Sequence, residues 1–441
     1  MEQKEIFRSF RKYVSANVAS MIGLSCYVLA DTYFVANGLG ARGLAALNIG
    51  LPVYNFIDGL AQMFAIGGAT MFSIAKGRGE KDQQSRVFSQ MLLFAIMASL
   101  VFWLAALAFV HPLARLLGAN GQTEQMVVTY IRIALLFAPA FIGNDILSNF
   151  VRNDGNPHLA MFARLFSCVF NIVFDYIFIF PLKLGMLGAV LATGFSPLIG
   201  IPLLLTHFAK KRASFRFVWG KPDGSMLAKA VSLGFPALIT ELSAGIVMIV
   251  FNFLLLGFSG NDGVAAYGVV ANISIVVISI FSGIAQGIQP LVSQAYGQEQ
   301  LPVAKKIFKY GLGTVLLTAA ASYALLFWQC DLIVSLFNHD HNSVLQALAN
   351  HGVKLYFTGI ACAGFNVLLA GYFSSIELAG PAQLISLLRG IFLIVPVAFV
   401  LARLFGLTGL WLAFPATELL VSLLGLYLTR SHGLFEAKRL S

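Results

Sequence analysis

The stretch "AKKRASFRFVWGKPDGSMLAK" (209–229) is the longest basic connector in an otherwise apolar chain, and six long apolar runs lie on each side of it. A run of about 20 apolar residues, wound as a helix, crosses a hydrocarbon core roughly 30 Å thick. Upstream the runs fall near 14–36, 45–75, 87–110, 126–149, 159–181 and 186–208. Downstream they fall near 228–258, 264–295, 307–328, 346–374, 381–403 and 408–430. This spacing predicts an all-α polytopic membrane protein with twelve transmembrane helices in two six-helix bundles, 1–208 and 228–441, joined by the cytoplasmic connector 209–227.

Composition agrees. Of 441 residues, 58% are hydrophobic and 11% charged, with a mean hydropathy of +0.82. Soluble domains run near 45–50% apolar and about 25% charged, so too little polar surface remains to cover a water-facing body. The net charge of +10 is a matter of placement: 21 of the 29 Lys and Arg fall on the side of the termini and the connector. Arg42, Arg115, Lys183 and Arg403 fall opposite, and Arg132, Arg164, Lys354 and Arg389 fall inside spans. By the positive-inside rule both termini are expected in the cytoplasm, and the basic face reads as topology and lipid contact, with no nucleic-acid partner. The first run is too long for a signal-peptide core and is expected to be retained. Cys26, Cys168, Cys330 and Cys362 show no paired spacing and read as small core residues. His339 and His341 in "NHDHN" could bind a metal as a pair, but a solvated loop is the simpler reading, so no metal site is expected.

The halves repeat. A shift of 220 lays "GLAAL" (43–47) on "GVAAY" (263–267) and "SIAKGRGE" (73–80) on "SQAYGQEQ" (293–300). With small offsets, Arg132 meets Lys354, "NP" (156–157) meets "GP" (380–381), and "GMLGAV" (185–190) meets "GLTGLW" (406–411). Six spans per half start both halves on the same face, so the repeats are expected to be parallel and pseudo-twofold related, as in many secondary transporters. No "GxxxxGK[ST]" occurs, so no nucleotide-driven engine is expected.

An Asp at the centre of a span costs roughly 2.5–3.5 kcal/mol and tends to face an interior cavity. In "SCVFNIVFDYIFIF" (167–180) Asn171 lies four residues before Asp175, on the same helix face. In "SCYVLADTYFVANGLG" (25–40) Tyr27 stands likewise before Asp31, and the sixth span adds Thr193. If these faces converge, they form a carboxylate pair that takes up a proton near neutral pH or holds a small cation among its oxygens. The competing reading is of aspartates that only cap or brace a helix. Asp58, Asp145, Glu241, Glu377 and Glu418 are further acids in or beside spans. They would either give a substrate cavity negative potential or bond neighbouring helices. The 39 Phe could line such a cavity for flat lipophilic cations, although lipid contact and helix packing must account for most of them. Arg164 and Arg389 lie early in their spans, where snorkelling to the interface is expected.

"ADTYFVANGLGARGLAALNIGLPVYN" (30–55), "FVRNDGNPHLAM" (150–161) and "NIVFDYIFIF" (171–180) resemble the MATE (multidrug and toxic compound extrusion) family, in particular its bacterial MepA-like branch, over essentially the whole chain. The resemblance implies a V-shaped pair of lobes and an antiporter driven by protons or sodium. It also implies a cation site at Asp31, Asn171, Asp175 and Thr193, with the substrate cavity expected near Tyr27, Asp58, Asp145, Glu241, Glu377 and Glu418. The second lobe matches less well: Glu241 comes about a turn early and Glu377 replaces an Asp, so a second coupling site is not expected. The expected function is export of amphipathic, often cationic, organic compounds across the cytoplasmic membrane, by a monomer with no cofactor beyond the coupling ion. The rival readings are a lipid-linked-precursor flippase, a passive channel, and an intramembrane aspartyl enzyme, for which the "GxGD" context is missing.

Overall fold

The computed structural model describes residues 3–338 and 342–432; His339 and His341 lie outside the described residues. Among the described residues the secondary structure is helical throughout, without strands. Nine helical stretches among them are long and apolar enough to cross a bilayer, counting the bent pair Glu124–Leu136 and Ala138–Asn153 as one. Three of the nine are broken by a glycine, so the spans number twelve.

Gln3–Arg78 breaks at Gly40 into α1 and α2. Lys81–Ala108 is α3, the bent pair is α4, Pro157–Ile179 is α5 and Met186–Ala209 is α6. Gly224–Gly297 breaks at Gly260 into α7 and α8. Leu301–Trp328 is α9, and Ser343–Tyr356 with Ile360–Ser375 forms α10. Ala379–Leu387, a π turn at Leu388–Phe392 and Ile394–Ser431 follow, and Gly406 divides this last stretch into α11 and α12.

The breaks carry the repeat into the backbone. Gly40 (φ 64°, ψ −164°) and Gly260 (φ 59°, ψ −146°) share one conformation at a spacing of 220 residues. Gly185 (φ 62°, ψ −138°) and Gly406 (φ 61°, ψ −140°), at the repeat match "GMLGAV"/"GLTGLW", adopt it too. This corner of conformational space is open essentially to glycine alone.

The helices are polar inside and apolar outside. On α5, Phe162, Phe166, Val169, Val173 and Tyr176 are exposed, while Asn171 and Asp175 on the other face are fully buried. Only a lipid surround makes that arrangement favourable. The bend in α4 falls at Pro139, which lacks an N–H for the helical ladder, and Trp103 donates its indole N–H to the Leu136 carbonyl beside the break (2.9 Å). Asn156 caps α5 by accepting from the Leu159 amide at 3.3 Å, with Pro157 at its first turn.

The chain divides into two compact units, Ser15–Leu242 with Ser293–Gln300, and Met1–Val14 with Ser243–Val292 and Leu301–Ser441. Neither is one uninterrupted half of the chain. In the first, a Cβ on Gly67 would meet the Ala230 carbonyl and one on Gly234 the Met63 carbonyl, so the start of α7 lies directly on α2. Of the cysteines expected in the core, Cys168 and Cys330 are buried, whereas Cys26 is exposed and Cys362 intermediate.

Candidate functional site

The first unit brings α1, α5 and α6 together around the residues singled out by spacing. The Asp31 and Asp175 carboxyls lie within hydrogen-bonding reach of each other. With its amide oriented to satisfy both ends, Asn171 donates to Asp175 Oδ2 (3.1 Å) and accepts from the Thr193 amide (3.2 Å). The Thr193 hydroxyl donates to the Ala189 carbonyl at 3.1 Å. One oxygen each of Asp31 and Asp175 is buried without a hydrogen-bond partner. An orphaned buried oxygen is costly, and one on each of two neighbouring carboxyls offers an acceptor for a proton or a hard cation, which takes oxygen ligands. Tyr27 is not the partner expected for Asp31. Its hydroxyl turns to the Tyr54 hydroxyl at 2.9 Å.

Thr193 also borders a small cavity in the same unit. Its walls include Tyr27, Tyr54, Asp58, Phe141, Asn144, Asp145 and Arg164. Three of the expected cavity residues, Tyr27, Asp58 and Asp145, are therefore found there. Asp145 is not a bare charge: it accepts from Arg164 (2.7 Å) and from Gln62 Nε2 (3.0 Å). Asp58 has no hydrogen bond or ion pair among the described residues, so it is the open acid of the wall. Glu241, on α7, packs beside Gly59 and lies within electrostatic reach of Asp58 and Asp145. Tyr54 and Arg164 were not anticipated as wall residues, nor Gln62 as a donor to Asp145. Tyr54 stood within the "GLPVYN" motif, but nothing in its spacing marked it. Phe141 is the one phenylalanine among the wall residues of this cavity.

The snorkelling expectation is corrected, and for Glu418 the helix-bonding alternative holds. Arg164 and Arg389 do not snorkel; their side chains are 14% and 13% exposed, and each is held by a buried acid. Arg389 donates to Glu418 (2.8 Å), and Asn366 Nδ2 donates to the same carboxylate (2.7 Å). Glu418 is thus neutralised in place and lends no negative potential to a cavity. Glu377 lies beyond the end of α10, in a turn with φ 63°.

The repeat counterpart of that turn, around Asp154, carries a hub that the sequence reading did not assign. Lys76 Nζ (2.8 Å), His207 Nε2 (2.9 Å) and the Ser214 amide (2.8 Å) all donate to the Asp154 carboxylate, as does the Ser214 hydroxyl. Burial alone would raise the Asp154 pKa, but the bonds from His207, Lys76 and Ser214 outweigh it and hold the carboxyl below its ordinary value. Among the described residues no group of three or more His, Cys, Asp or Glu could hold a metal ion.

Twelve spans with polar groups turned inward define a polytopic helical membrane protein built around an interior site. The chain belongs to the MatE family, whose model matches residues 17–177 and 236–400. It is 26% identical to the multidrug export protein MepA of Staphylococcus saprophyticus over 435 residues, covering 97% of this chain and 95% of that one. Its fold is similar to that of a MATE crystallised in complex with MaL6 (TM-score 0.92, 21% identity, 97% of each chain). It is also similar to the MATE multidrug transporter DinF-BH (TM-score 0.88, 27% identity, 98% of this chain and 97% of that one).

Proposed function

We propose that the protein is a cation-coupled antiporter that exports amphipathic, often cationic, organic compounds in exchange for protons or sodium. One observation carries this reading: the buried Asp31–Asp175 pair, with an orphaned oxygen on each residue, shares Thr193 with a polar cavity. An ion that enters the pair changes charge and packing at the cavity wall. It can bias the transporter only by binding one conformation better than another, and a carboxylate pair whose solvation changes with conformation supplies that difference. Asn171 positions Asp175, and Thr193 links ion site and cavity. In the outward-open state the ion binds, the hold on substrate loosens and the substrate leaves; in the inward-open state the ion is released. The export role named for the staphylococcal relatives supports the direction of transport and sets the enzyme reading aside.

A flippase for lipid-linked pyrophosphates would need unpaired basic groups in its cavity. Arg164 and Arg389 are each matched by an acid, while Arg132 and Lys354 are exposed. The test is efflux of a cationic dye from proteoliposomes under a pH gradient or a sodium gradient, imposed separately. One of the two should drive export, and Asp31→Asn or Asp175→Asn should abolish the driven part. Full gradient-driven export by both variants would overturn the assignment of the coupling site.

A further inference from the structure

The connector is the part of the fold that transport leaves unexplained. It is no slack linker: it runs as an extended strap along the first turns of α3. The Arg216 amide donates to Ser85 Oγ (3.2 Å), the Val218 amide to Ser89 Oγ (2.8 Å) and the Asp223 amide to Gln90 Oε1 (3.0 Å). Gln90 Nε2 returns a bond to the Lys221 carbonyl at 2.8 Å. Upstream, Ser214 is held by Asp154, and Phe215 is buried against Phe72, Phe88 and Phe150.

With the backbone tied to the helix and Phe215 turned inward, the following aromatic side chains face out. Trp219 is 85% exposed and meets the half-exposed Phe217 edge-on, ring centroids 5.2 Å apart. Their depth is set by α3, which opens with the polar "KDQQSRVFSQ" (81–90) and turns apolar at "MLLFAIMASL" (91–100). At 1.5 Å per residue, Ser89 lies about 12 Å along the helix from Lys81, level with that transition. A change from polar to apolar sequence at the start of a span is expected at the boundary between headgroups and acyl chains, where tryptophan concentrates in membrane proteins. Along the strap, Lys210, Lys211, Arg212, Arg216 and Lys221 are all exposed. The one acid of the strap, Asp223, is already engaged by Arg86 at 2.8 Å and caps α7.

We propose that the strap is a docking site for anionic phospholipid headgroups. Its basic side chains bind the headgroup phosphates while Phe217 and Trp219 enter the top of the acyl layer. A basic cluster beside a membrane span attracts anionic lipid, and two rings at this depth face lipid rather than a soluble partner. Because the backbone is pre-ordered by α3, little ordering remains for lipid to impose.

The test uses the full-length protein in phosphatidylcholine vesicles with phosphatidylglycerol as a minor component. One lipid or the other carries bromine near the top of its acyl chains, at equal mole fraction. The Trp219 signal is the difference in fluorescence between the wild type and Trp219→Phe. Labelled phosphatidylglycerol should quench that signal roughly twofold more than labelled phosphatidylcholine, as local enrichment of anionic lipid requires. The combined variant K210Q/K211Q/R216Q/K221Q, altered only at exposed positions, should quench equally with both labels. Excess inorganic phosphate should leave the preference intact. Equal quenching in the wild type, a preference that survives the fourfold variant, or a preference abolished by free phosphate would each overturn the proposal.

Discussion

Arg164 and Asp145 form an ion pair almost closed to water, with side chains 14% and 3% exposed and Gln62 completing the carboxylate's shell. Removing one partner of such a pair leaves an uncompensated charge, which costs about 3–5 kcal/mol, whereas removing both can be close to neutral. Arg164→Met should therefore lower the thermal unfolding midpoint strongly, and adding Asp145→Asn should restore most of the loss. A single variant that melts like the wild type would mean that water already reaches the pair. The same residues mark how far the sequence could be read. Asn171 and Asp175 were legible because both lie on one helix, four residues apart, where spacing alone fixes a shared face. Arg164 was misread because its acid comes from another helix, and a linear sequence does not show which of several buried acids is within reach. Glu418 was left open between two readings for the same reason, since its neutralising Arg389 lies on a different span.

Among the elements, the glycine breaks separate backbone strain from lack of space. A Cβ at Gly40 or Gly260 would meet nothing within 4 Å, yet both residues sit in a conformation that side-chain-bearing residues avoid. Gly40→Ala and Gly260→Ala should each destabilise by about 1–3 kcal/mol. Gly313→Ala also meets open space, but lies inside α9 with ordinary helical geometry, and should stabilise by up to about 1 kcal/mol. Equal effects at all three positions in chemical unfolding would show that the breaks are not strained for alanine. The Asp154 hub makes a second prediction. Its folded-state pKa is lowered, so the carboxylate contributes stability above its unfolded pKa near 3.9, and that contribution is lost as pH falls through the lower folded value. Asp154→Asn should lose stability at neutral pH and show a shallower decline on acidification than the wild type, measured as unfolding midpoint against pH. Parallel curves would deny the carboxylate its role. The hub was hidden within "RNDGNP" because its donors, Lys76, His207 and Ser214, come from segments as many as 78 positions away. The spans, by contrast, were legible from hydropathy alone, because each must carry its own apolar surface into lipid.

For the whole molecule, the repeat fixes two similar sets of six spans, while the acids break the symmetry. The first unit holds an unneutralised carboxylate pair beside a cavity, whereas Glu418 in the second is bound by Arg389 and Asn366. On the proposed function, coupling belongs to the first unit, and thermodynamic linkage constrains it. If a bound ion at Asp31 and Asp175 loosens the hold on substrate, bound substrate must weaken ion binding by the same factor. With protons as the ion, lowering the pH from about 8 to about 6 should weaken equilibrium binding of a cationic dye by some 5–150-fold, the usual range of such coupling. Asp175→Asn should flatten that profile without abolishing dye binding, because the cavity walls at Tyr54, Asp58 and Phe141 remain in place. With sodium as the ion, the same loss should appear in a sodium titration at fixed pH, and the same variant should remove it. The measurement is a dye-binding isotherm on the purified protein in nanodiscs at each condition. A wild type whose affinity ignores both ions would show that the carboxylate pair braces helices and does not drive export, whatever its geometry suggests.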